Sequence, residues 1–193
     1  IYLPIPTRTA YDFVCWRYMN ETGTIFDKIT TGSVGNYTFY ATWTPTVYKI
    51  IYHVYDGIMP AEYPTTYTIE SETVTLPRPT MEGHVFVGWY DNPELSGIPI
   101  REIPSGSYGD VEFFAYWRKL IHTVTFVDWD YETVIGKVYV EHGDGVAEPP
   151  IPPEHYGYDF IGWDKDISCV LSNMTVAAMY DLKVYSVVFV DID

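Results

Sequence analysis

Positive charge and cysteine are what this 193-residue chain has least of: 11 Lys and Arg stand against 26 Asp and Glu, a formal net charge of -15, and there are two cysteines. A surface of that sign repels phosphate backbones and anionic headgroups, which disfavours nucleic-acid binding and simple adsorption to membranes. Two thiols make no disulfide framework. Cys15 falls where the related stretches have Gly88 and Gly162, so it reads as a small packing residue, and no bond to Cys169 is expected. No apolar run approaches the ~18 residues that span a bilayer, and the first residues show no export signal. Beginning at Ile1, the chain reads as a piece of something longer.

Chemistry is scarce too. The five histidines, His53, His84, His122, His142 and His155, form no metal-binding spacing, and no nucleophile elbow or phosphate-cradling loop occurs. No enzyme activity and no cofactor is expected. For a hard cation the nearest approach is Asp128 with Asp130, and Asp191 with Asp193. Alternate acids at a strand end can converge on calcium, which wants six to eight oxygens where each pair offers two carboxylates, so no metal site is assigned.

What is abundant is strand and turn vocabulary: 19 Tyr, 9 Phe, 6 Trp, and 14 each of Gly and Pro. A mostly β chain (α+β at most) follows. Tyr11-Asp12-Phe13-Val14-Cys15-Trp16, Gly83-His84-Val85-Phe86-Val87-Gly88-Trp89 and Gly157-Tyr158-Asp159-Phe160-Ile161-Gly162-Trp163 are versions of one motif, their tryptophans 73 and 74 residues apart. A second landmark follows each, ending at Trp43, Trp117 and Tyr180, and a third opens the unit at Val47, Ile121 and Val184. Three landmarks in fixed order define a tandem repeat. Residues 1–46 are a partial repeat without its first strand, 47–120 a complete repeat, 121–183 a complete but shortened one, and 184–193 the first strand of a further repeat.

Each complete unit should run as an alternating opening strand, a second strand (63–75 or 133–142), a proline-studded crossover, the Phe-x-Gly-Trp strand and a last strand. Phe and Trp three apart should lie on opposite faces, suiting a central position in the sheet. The shorter third unit lacks the equivalent of 23–29 and 97–103, which reads as a hairpin arm. Five of the six tryptophans sit at landmarks and read as core. Tyr55, Trp129 and Tyr131, near first-strand ends, are the rings to consider for a ligand.

Leu76-Pro-Arg-Pro-Thr, Gly83-His-Val-Phe-Val-Gly-Trp-Tyr, Phe114-Ala-Tyr-Trp and their spacing resemble the Listeria/Bacteroides repeat, or internalin-type B repeat. The resemblance implies small β-grasp-like repeats of about four strands, arranged end to end on secreted or surface-anchored bacterial proteins and associated with adhesion. The expectation is a non-enzymatic, extracellular segment of the bacterial cell surface acting as a semi-rigid spacer or adhesion module. The alternative is a carbohydrate-binding accessory module that uses exposed aromatic rings. Expected partners are a host or cell-wall protein or glycan, no nucleic acid, and further copies of the chain joined head to tail through 184–193.

Overall fold

The computed structural model describes residues 1–191, and its regular elements are all strands. In chain order they are β1 (Tyr11–Tyr18), β2 (Ile25–Phe26), β3 (Phe39–Pro45), β4 (Tyr48–His53), β5 (Thr66–Tyr67), β6 (Val74–Thr75), β7 (His84–Tyr90), β8 (Glu102–Ile103), β9 (Val111–Lys119), β10 (Ile121–Val127), β11 (Val134–Glu141), β12 (Tyr158–Trp163) and β13 (Met174–Leu182). The chain divides into two compact units, one made of Ile1–Thr80 and Phe86–Trp117, the other of Met81–Val85 with the chain from Arg118 on.

The second and third repeats share one topology. The sheets run β5-β4-β9-β7 and β11-β10-β13-β12. Numbered within a repeat, that is 2-1-4-3. The opening and last strands pair parallel at the centre, Ile50 to His53 against Val111 to Phe114 and Val124 to Val127 against Met174 to Ala177. A parallel pair needs a crossover connection, and the proline-rich segments supply it without a helical turn. The opening strand alternates because one face is covered: Ile50, Val124 and Phe126 are buried.

The two cores are separate clusters. Ile50, Tyr67, Leu76, Trp89, Ile103, Phe113 and Ala115 form one. Val124, Phe126, Val140, Val170 and Val176 form the other. Trp89, 1% exposed, donates its indole N–H to Pro77 O at 2.7 Å, so the ring is buried without an orphaned donor. Trp16 makes the same bond to Pro4 O at 2.7 Å. The first repeat has a three-stranded sheet, β2-β1-β3, and Ala10, 8% exposed, is its one buried apolar residue.

Three expectations change in the folded chain. The Phe-x-Gly-Trp strand is an edge, not the centre, in both complete repeats. Its Phe and Trp share a face: the rings lie 5.6 Å apart at Phe13 and Trp16, and 5.3 Å in the other two repeats. The register shifts between Phe13 and Cys15, and between Phe160 and Gly162. A β-bulge there inserts one extra residue, which turns a three-residue spacing into a same-face one. Finally, the span 63–75 is two short strands, β5 and β6, split by a turn in which Ser71 N–H donates to Thr68 O, whereas the third repeat has one continuous β11.

The arm present in the longer repeats explains Gly88. Ile100 N–H donates to Trp89 O and Leu76 N–H to Arg101 O, each at 2.8 Å, so the arm bridges the edge strand to the crossover. Pro99 then lies over Gly88, where a Cβ would come within 2.6 Å of the proline's own Cβ. In the third repeat no arm covers Gly162; its φ of 143° at the bulge is the reason for glycine there. Val184–Asp191 carry no regular structure, and Ile192 and Asp193 lie outside the described residues.

Candidate functional site

The turn between β10 and β11 concentrates polar chemistry in the third repeat. At the end of β10, Asp128 is 6% exposed, where the corresponding residue of the second repeat is Val54. Its carboxylate accepts from His155 Nε2 at 2.9 and 3.0 Å and from the Trp129 N–H at 2.8 Å. His155, in the proline-rich crossover, stands where the second repeat has Met81. Its ring stacks on Trp129 at 3.9 Å and 20°. Tyr158 and Tyr180 meet the same indole edge-on at 5.0 and 5.3 Å. Trp129 keeps 41% of its surface exposed, so one packed side holds the ring and the rest faces solvent.

Asp130 fixes the loop itself. Its Oδ1 accepts from the N–H groups of Glu132 and Thr133, each at 2.9 Å, and its Oδ2 from the Thr133 hydroxyl at 2.6 Å. Those bonds, the Thr133 hydroxyl first, hold the Asp130 carboxyl below the usual carboxylate range. Tyr131 has φ 62°, a left-handed conformation uncommon for a bulky residue, and is 65% exposed. Its hydroxyl donates to Asp164 Oδ2 at 3.4 Å. Burial first, and the charge of Asp128 second, push the Tyr180 hydroxyl up; that hydroxyl donates to Pro153 O at 2.8 Å. A groove of about 540 Å³ adjoins, walled by Pro152, Pro153, His155, Tyr158, Tyr180 and Lys183 among others.

Of the residues singled out in the sequence, Asp128, Asp130, Trp129 and Tyr131 come together here. Tyr55 occupies the turn after β4, also at positive φ (55°) and 62% exposed. The two aspartates face different partners: Asp128 turns to His155, Asp130 to its own loop. Among the described residues no three His, Cys, Asp or Glu side chains are grouped to hold a metal ion. The sequence reading missed His155, Tyr158 and Tyr180. Aligning the copies residue by residue carries the signal, since a carboxylate and an imidazole jointly replace a Val and a Met.

The model of the Listeria-Bacteroides repeat domain matches residues 1–42, 48–115 and 122–186. The chain belongs to this repeat family. Two curated relatives are similar to the chain, both from Evansella cellulosilytica. One, named "Putative membrane protein", is 29% identical over 79% of this chain and 24% of its own length. The other, named "Putative Gly-rich membrane protein", is 30% identical over 83% of this chain and 18% of its own length. The chain therefore spans a quarter or less of each. No solved structure matches the repeats. No helix among the described residues is long and apolar enough to cross a membrane.

Proposed function

We propose that this chain is a non-enzymatic, load-bearing segment of a bacterial surface repeat protein, an extracellular spacer that carries adhesive modules. The observation that supports this most is the central parallel pair. The opening and last strands of each complete repeat lie side by side and run the same way. A pull on the chain at the two ends of such a repeat loads their shared hydrogen bonds together, in shear, rather than one at a time. The 2-1-4-3 order with its parallel centre supports a β-grasp-like reading of each complete repeat, without a helix. Single-molecule stretching tests the reading: the second and third repeats should each give a discrete high-force event, and the first, whose sheet lacks that parallel pair, should yield at low force. Smooth extension at low force throughout would sink it.

A second reading, carbohydrate binding, is favoured by Trp129, an exposed indole held by the His155 stack. Indole and phenol faces pack against the C–H faces of sugars, and the neighbouring acids and hydroxyls can take their hydroxyls. Retention on a glycan array, lost in Trp129→Ala, supports it; an empty array removes it.

Partners follow from the same proposal: a cell-wall or host protein or glycan, and other copies of the chain. In Val184–Asp191, Val187, Phe189 and Val190 are largely exposed, while their counterparts Val124, Phe126 and Val127 are buried in β10. Such a segment suits the free edge of a last strand, including β3 of a second copy. Light scattering should show association that weakens in Phe189→Asp; an unchanged distribution would count against it.

A further inference from the structure

The second repeat holds a smaller groove, about 250 Å³, whose charge is the reverse of its surroundings. Its walls are the crossover at Leu76 to Arg78, the edge strand at Phe86 to Trp89 and the arm at Pro99 to Arg101. Leu76, Phe86 and Pro99 give it an apolar floor. Arg78 and Arg101 line it and no acid does, in a chain with 26 acids. The groove that shares Ile100 with it is lined instead by Asp91, Glu102, Asp110 and Glu112. Arg101 and Glu102 are consecutive on an extended arm, so they point to opposite sides and sort the two signs.

Both arginines are exposed, and among the described residues neither guanidinium pairs with a carboxylate. Arg78 rests 5.8 Å above the Phe86 ring. The pair is particular to this repeat: in the first, Ile5 and Asp27 stand at the equivalent places, and in the third the arm is absent.

We propose that this groove binds an extended acidic peptide, with an apolar side chain on its floor and carboxylates at Arg78 and Arg101. A guanidinium fork matches a carboxylate's two oxygens. Peptide is favoured over acidic glycan because no ring lies open as a sugar platform: Trp89 is 1% exposed and Phe86 is half-buried in the floor. Val87, by contrast, is 40% exposed on an edge strand, where an extended backbone can lie alongside.

The test is fluorescence anisotropy on the whole chain with a labelled peptide of alternating Val and Glu, its Val–Gln counterpart, and hyaluronan as competitor. The Glu peptide should bind about tenfold more tightly than the Gln peptide, and R78Q/R101Q should lose about the same factor together with most of the salt dependence. R78E/R101E should switch preference to a Val–Lys peptide, which a merely destabilised fold would not do. Equal binding by R78Q/R101Q, no binding at millimolar peptide, or displacement by hyaluronan with the same arginine dependence overturns the proposal.

Discussion

Tyr52 and Phe126 occupy equivalent places in two sheets, and the difference between them is one oxygen. Phe126 is fully buried. Tyr52 brings its hydroxyl into the core, where it has no hydrogen-bond partner. Burial, and then the neighbouring Tyr63, push it up to about 12. Tyr52→Phe should therefore stabilise the second repeat by about 1 kcal/mol in chemical denaturation. Below pH 10 the phenol is neutral whether folded or unfolded, and its shift has no effect. Between pH 10 and about 12 the unfolded chain releases that proton while the folded one holds it, so stability falls as pH rises. The variant should lack that part of the alkaline loss.

Ala10 makes a similar residue-scale case. It has φ 63° where the other repeats have Gly83 at 67° and Gly157 at 80°. Its carbonyl accepts from Thr46 N–H, as Gly83 O does from Leu120 and Gly157 O from Lys183. Ala10→Gly should relieve about 1 kcal/mol of left-handed strain, visible as a higher melting temperature for the first repeat.

At the scale of elements, the loop joining β10 and β11 is held to the crossover by the hydrogen bond between His155 and the buried Asp128 carboxylate. His155→Ala strands the Asp128 carboxylate and should cost about 3–5 kcal/mol, whereas Asp128→Val with His155→Met, the residues of the second repeat, should be near neutral or stabilising in the same melt. A double variant as damaging as the single one would show that the pair has a packing role which the apolar residues cannot fill. The arm behaves differently. Gly88→Ala forces Pro99 aside and should destabilise the second repeat by about 1–3 kcal/mol.

Strand order and face are where sequence legibility divides. The alternation of Val124 and Phe126 reports a covered face, and β10 buries those residues. The place of the Phe-x-Gly-Trp strand was misread because simple alternation puts Phe86 and Trp89 on opposite faces. A bulge depends on how the partner strand pairs, which no single strand's pattern records. The candidate site was half legible. Trp129 and Tyr131 stood out as rings outside the landmarks, but His155 lies 27 residues from Asp128, and only the crossover's path brings the imidazole onto the carboxylate.

For the whole molecule, the repeats differ in how complete their sheets are. Two have a closed cluster of buried side chains around a parallel centre; the first has aromatic contacts such as Phe13 with Trp43 but no such centre. Stability should follow that division, because local opening begins where burial is least. Native-state hydrogen exchange measures it most directly. The slowest amides should fall into two groups, Ile50–His53 with Val111–Phe114 and Val124–Val127 with Met174–Ala177, and those of β1 and β3 should exchange far sooner. Protection strongest in β1 and β3, or uniform over all three repeats, would contradict an account built on the parallel pair.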